Sequence, residues 1–186
     1  SLYCEGREMK TEELIELALE VGFDHAGELN MGALDFRPEV RDMCSSGRCR
    51  AYGTRWSCPP AVGDLERSRK RTEKYHRGIL VQTTGQMAHD FDSEGIIQAE
   101  KCHKERFATL VRQIRYGYPD CLPMGTGACT LCRKCTYPDR PCRHPEEMFT
   151  SMEGYGLLVN DVAKASGLRY DYGPGTITYS AAVLID

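Results

Sequence analysis

The run Cys129-Thr130-Leu131-Cys132-Arg133-Lys134-Cys135, with Cys142 seven residues further on, constrains this chain more than any other feature. Two consecutive CxxC steps wind three thiols around a small volume. Residues 121–145 show neither helical nor strand periodicity, so something other than secondary structure must order them. Ten cysteines is a high count for 186 residues. Disulfide-dense chains are mostly secreted domains too small to build a core, whereas this one is long enough to build one. Clustered cysteines in such a chain point to bound metal.

The spacing favours iron. A cubane presents three irons on one face, and a loop with tandem CxxC steps can ligate each of them. Bacterial iron–sulfur runs use this spacing and complete the set with a more distant cysteine, here Cys142. Zinc is the competing reading, although structural zinc sites usually pair two CxxC elements across a long insert. A second group is Cys44-x4-Cys49-x8-Cys58-Pro59-Pro60. Proline after a ligand cysteine also occurs in iron–sulfur runs. Trp56 is placed to shield such a site, and buried structural thiols are the alternative. The expected ligands are therefore Cys44, Cys49, Cys58, Cys129, Cys132, Cys135 and Cys142, and the expected cofactor is the [4Fe-4S] cluster, in two copies.

Cations flank both groups: Arg41, Arg48, Arg50 and Arg55 around the first, and Arg133, Lys134, Arg140 and Arg143 around the second. A cluster held by four thiolates is anionic, so these cations suit it, although each arginine is equally readable as solvated surface. Seven cysteines leave two cubanes one ligand short. Cys121 is the nearest spare thiol in sequence, and a non-cysteine or exchangeable ligand is the other solution. Cys4 and Cys102 read as free thiols, His144 as a ligand or a donor to one, and His25, His76, His89 and His103 as surface or packing residues.

The rest reads as one α/β or α+β domain over 1–186, a small sheet with flanking helices carrying two irregular cluster-binding loops. Thr11 is set to cap a helix that Gly22 stops. A strand is expected over 23–29, a short helix at Pro38, and a polar helix from Asp64 to Tyr75. A strand follows at 79–84. A long helix from Ser93 carries Phe107, Leu110, Val111 and Ile114 on one face. Ser151 is set to cap a helix with Leu158, Val162 and Ala165 inward, and 176–185 alternates as the last strand. The formal charge of −3, with signs mixed, argues against nucleic acid or an anionic membrane as partner. No apolar run is long enough to span a bilayer and no export signal is visible, so the expected location is cytoplasmic.

The chain resembles a family described only as predicted metal-binding proteins, found largely in anaerobic bacteria and archaea. The residues that carry the resemblance are Cys44…Cys49…Tyr52-Gly53, Trp56-Ser57-Cys58-Pro59-Pro60, Cys129…Cys132…Cys135, Pro141-Cys142-Arg143-His144-Pro145 and Ser151-Met152-Glu153. The resemblance spans about 35–186 and implies metal at both groups, without supplying a reaction. Two functions follow as expectations: electron transfer with a redox partner protein in anaerobic metabolism, or an enzyme that binds substrate at an open iron of the N-terminal cluster. A zinc-stabilised binding module is the third reading. Homo-oligomer formation is compatible with each.

Overall fold

The computed structural model describes residues 7–186, so Cys4 lies outside the described residues. The chain runs α1 (Thr11–Val21), β1 (His25–Glu28), α2 (Pro38–Ser45), α3 (Leu65–Thr72), β2 (Arg77–Gln86), α4 (Ser93–Ile114), β3 (Leu122–Met124), α5 (Val159–Ala165) and β4 (Thr176–Ile185), with single 3-10 turns at Met31–Ala33 and Glu153–Tyr155. The strands form one sheet in the order β1-β2-β4-β3, and every pairing is antiparallel. The class is therefore α+β. The central pair is a ten-residue ladder from Arg77↔Ile185 to Gln86↔Thr176.

Alternation along β2 and β4 sends apolar side chains to both faces of the sheet. Ile79, Val81, Ala181, Val183 and Ile185 pack with Leu14, Leu17 and Ala18 of α1 and Phe107, Leu110, Val111 and Ile114 of α4. Leu80, Ala182 and Leu184 pack on the other face with Leu122, Met124, Met152, Tyr155, Leu157 and Val162. The sheet is thus covered on both sides, helices on one and the 152–163 segment on the other. A Cβ at Gly85 would come within 2.5 Å of that of Ala99, so glycine is what lets α4 lie close over β2.

Several expected boundaries move for local reasons. Thr11 is the first residue of α1 rather than its cap, and the Glu13 carboxylate accepts the Lys10 N–H at 3.4 Å. The long helix begins at Ser93 as expected, and Asp92 caps it: its two oxygens accept from Ala88 N and Gly95 N at 2.9 and 3.1 Å. Asp64 caps α3 as expected, accepting from Arg67 N at 2.9 Å. Ser151 caps no long helix. Its hydroxyl accepts from Gly154 N at 3.0 Å inside the 3-10 turn, and α5 begins only at Val159, with Val159, Val162 and Ala163 inward and Ala165 exposed. β3 lies inside a stretch expected to be irregular. Among the described residues no helix is long and apolar enough to cross a membrane.

Candidate metal centre

The two cysteine groups sit on the two longest connections of the fold. Between α2 and α3 there is no helix or strand from Ser46 to Asp64. Between β3 and the Glu153 turn there is none over the longer stretch from Gly125 to Met152, and no residue from Thr126 to Phe149 is buried. Fixing a residue's backbone costs about 1–2 kcal/mol, which apolar burial normally offsets. Here that burial is missing.

Four thiols stand in its place. Cys129, Cys132, Cys135 and Cys142 all line one small hollow, with Arg55, Trp56 and Ser57 from the other connection forming part of its wall. The backbone folds around these sulfurs in a repeated way. Cys135 Sγ accepts from Tyr137 N at 3.5 Å and Cys142 Sγ from His144 N at 3.4 Å, two residues on in each case. The Leu131 N–H points at the Cys129 sulfur by the same two-residue step. An N–H aimed at sulfur stabilises thiolate over thiol, the form a metal requires. Without metal, burial is the largest influence on Cys129 and raises its pKa, while the Leu131 N–H and the Lys104 cation oppose it.

Cys44 lies in the last turn of α2 rather than on the connection that follows, Cys49 is exposed on the loop and Cys58 is half-buried. Burial first, then the neighbouring Cys49, raises the Cys44 pKa; Cys58 and Glu153 act in the same direction and Arg41 opposes them. Burial likewise raises Cys58, with Ser57 opposing and Cys49 and Cys129 adding. The charges of the three N-terminal thiols are therefore felt by one another, and Cys58 also feels Cys129 of the other group. The 3-10 turn is pinned against α2 by Arg41, whose Nε donates to Gly154 O at 2.9 Å and Nη1 to Gly63 O at 2.7 Å. Across that contact the Glu153 charge is felt at Cys44. The Glu153 side chain is open to solvent on one side but hemmed in by protein, and this burial raises its carboxyl pKa.

Direct bonds join the two connections. Ser57, only 1 % exposed, accepts the Cys129 N–H at 3.1 Å, and its hydroxyl lies 3.6 Å from Cys58 Sγ. Trp56 donates its indole N–H to Arg140 O at 3.0 Å and Thr136 Oγ1 at 3.2 Å, and its ring meets Tyr137 edge-on at 4.9 Å. The expected shielding by Trp56 thus takes the form of a strut between the groups.

Other expected participants lie elsewhere. Cys121 is packed in the core with Leu110 and Ile114, and it lines no wall of the hollow. Cys102 is a half-buried free thiol on α4, and all described cysteines are free. His144 lines the hollow. Arg143 does too, bound through Nη1 to Lys134 O at 2.9 Å, while Arg133 and Lys134 are exposed and form no part of that wall. Among the described residues no three Cys, His, Asp or Glu side chains close around one point that a single ion could fill. Sequence reasoning missed Ser57 and Lys104. Their residue types carry no metal signal; the crossing of the two connections gives Ser57 its part, and the packing of α4 on the CxxC loop gives Lys104 its own.

The family model for predicted metal-binding proteins (DUF2284) matches residues 27–185. The chain belongs to this family. The match covers both cysteine connections and all four strands from Gly27 onward, so the family is defined on the whole sheet and not on the CxxC run alone. No curated protein and no solved structure matches the chain.

Proposed function

We propose that this family member is an iron–sulfur protein. Cys129, Cys132, Cys135 and Cys142 would hold one [4Fe-4S] cluster, and Cys44, Cys49 and Cys58 most of the ligation of a second. One observation carries this reading: a long connection without buried residues is ordered around four sulfurs, three of them receiving a backbone N–H two residues on. The donor set fits the group, since all four are thiols and the tandem CxxC step is the iron–sulfur spacing. When bound, such clusters supply one-electron transfer. The chain's own residues hold the thiolates, exclude water through Trp56 and set the local charge. Electron exchange with a redox partner protein is the function that needs nothing more than this.

The test is elemental. Protein purified without oxygen is expected to be brown and to contain iron and acid-labile sulfide in comparable amounts. Colourless protein with stoichiometric zinc after anaerobic iron loading overturns the proposal in favour of a zinc-stabilised module.

The position of Glu153 beside a three-thiol group favours a second reading, an enzyme. A carboxylate is a weaker, more exchangeable iron ligand than a thiolate. On this reading it would take the fourth position of the N-terminal cluster and yield it to substrate, with the iron acting as Lewis acid. Replacing Glu153 by Gln is expected to change the spin-resonance signal of the N-terminal cluster alone. A spectrum unchanged in Glu153→Gln, and unresponsive to added cyanide, leaves electron transfer as the function.

Charge at the C-terminal group makes a further prediction. Arg143 sits in the wall of the hollow, so Arg143→Gln removes a cation that favours the more negative reduced state. The potential is expected to fall by on the order of tens of millivolts, screening by salt limiting the effect. Arg133→Gln, outside the wall, is expected to change it less. Protein-film voltammetry of both variants checks the order.

A further inference from the structure

A cavity of about 220 Å³ lies between α4 and the tandem CxxC loop, and Cys129 and Leu131 belong both to its wall and to that of the metal hollow. We propose that this cavity binds a small aromatic carboxylate, seated against the Cys129 side of the C-terminal metal group.

The walls indicate the ligand's body. Phe107 and Phe149 meet edge-on at 5.3 Å and present ring surface to the space. Ala108 forms the α4 side, where a longer side chain would occupy the cavity. Polar atoms deep in the wall are already satisfied: His103 Nε2 and Thr126 Oγ1 bond each other at 2.8 Å, and Thr126 Oγ1 donates to Ser180 O at 2.6 Å. They make no demand on a ligand, so its buried part is apolar and flat.

The rim indicates the ligand's charge. Lys104, Ala108 and Arg112 follow at four-residue steps on α4, so the two cations bracket the small residue about 12 Å apart along the axis. Lys104 is committed: its ammonium bonds Ala128 O at 2.7 Å and pairs with Glu100 at 3.2 Å. Arg112 is not. It is exposed, and among the described residues its side chain bonds only the neutral Thr109 hydroxyl, through Nη2 at 3.3 Å. Its remaining donors suit a carboxylate in a bidentate pair. Glu147, which also lines the cavity, disfavours a second negative charge, so a monoanion fits best.

This inference deepens the reading of the site, because the bound molecule would touch Cys129, but binding itself does not require iron. The experiment is calorimetric titration of the anaerobically purified, metal-loaded protein with 2-naphthoate and with the neutral 2-naphthylmethanol, alongside the cluster spectrum. Binding of 2-naphthoate is expected, with weaker binding of the alcohol. Ala108→Phe is expected to abolish it. Arg112→Gln, on an exposed helical face that tolerates the change, is expected to weaken it about fivefold. Absence of binding in brown, folded protein overturns the cavity proposal and leaves the iron–sulfur reading intact. Binding that survives Ala108→Phe in folded protein overturns it as well. Equal affinity for acid and alcohol, unaffected by Arg112→Gln, overturns the choice of an anion. Colourless protein that binds 2-naphthoate in an Ala108-sensitive way supports the cavity and sinks the iron.

Discussion

Cys132→Ala is expected to lose the metal of the C-terminal group and, with it, the order of the connection from Thr126 to Phe149. Cys132 is the middle cysteine of the tandem run and lines the hollow that all four thiols share. No residue of the connection is buried, so nothing apolar replaces the lost ligation. Binding of a structural metal contributes on the order of 10 kcal/mol where it orders an otherwise uncored segment. Losing it is comparable to the whole stability of an ordinary domain. The damage has a boundary. The sheet and both of its cores are built from other residues, so the β2–β4 ladder is expected to persist. Amide hydrogen exchange resolves this pattern. Protection is expected to vanish from the connection and to survive in β2 and β4. Unchanged iron and unchanged exchange in the variant would remove Cys132 from the ligand set.

Acid sensitivity is expected from His103, which is fully buried on α4. Thr126 has a single hydroxyl proton and gives it to Ser180 O, so the His103 Nε2 that bonds it must carry the ring proton. Nδ1 then accepts from Thr83 Oγ1 at 2.9 Å, and the ring is neutral. Burial first, then the cations of Arg106 and Lys104, lowers its pKa from 6.5 to about 3. Because the folded pKa lies below the unfolded one, the unfolded chain binds the extra proton between these values. Stability is therefore complete above pH 6.5 and lost as pH falls toward 3, at up to about 1.4 kcal/mol per pH unit. Between pH 7 and 4.5 this one ring removes about 2–3 kcal/mol. His103→Gln is expected to be less stable at pH 7 but to lose that much less on acidification. Urea titrations of both proteins at the two pH values measure the difference, in which acid loss of metal common to both cancels. Parallel losses would show that His103 is protonated in the fold.

The same histidine shows where sequence reading stops. His103 reads as surface or packing from sequence. Its role depends on Thr83, Thr126 and Ser180, brought together from β2, the segment after β3 and β4, which no local pattern connects. The helices and long strands are legible because their signals are local: Asp64 as a cap, Pro38 opening α2, the 107–114 stripe of α4 and the alternation of β4. β3 is not, since three residues with a central proline carry no period and pair only because β4 offers an edge. The C-terminal thiols share one hollow, as their spacing implies. The N-terminal group is legible as three thiols, but its neighbour Glu153 is separated by about a hundred residues and joins it through Arg41 and the Gly154 carbonyl. Cys121, close to Cys129 in sequence, is carried off into the core because β3 lies between them.

The bonds from Trp56 and Ser57 to the opposite connection have a bearing on how the protein matures. Each connection supplies part of the mould in which the other is shaped, so neither site is preorganised while its neighbour is disordered. Filling one group fixes Ser57 against Cys129 and Trp56 against Arg140, and part of the ordering entropy of the second is then already spent. By reciprocity the effect is the same whichever fills first. With a cluster at each group, as proposed, loading is expected to be positively cooperative: half-filled molecules are scarce at equilibrium, and stepwise addition of iron and sulfide gives a sigmoidal rise in colour, whereas a simple hyperbolic rise would show that the two connections fill independently.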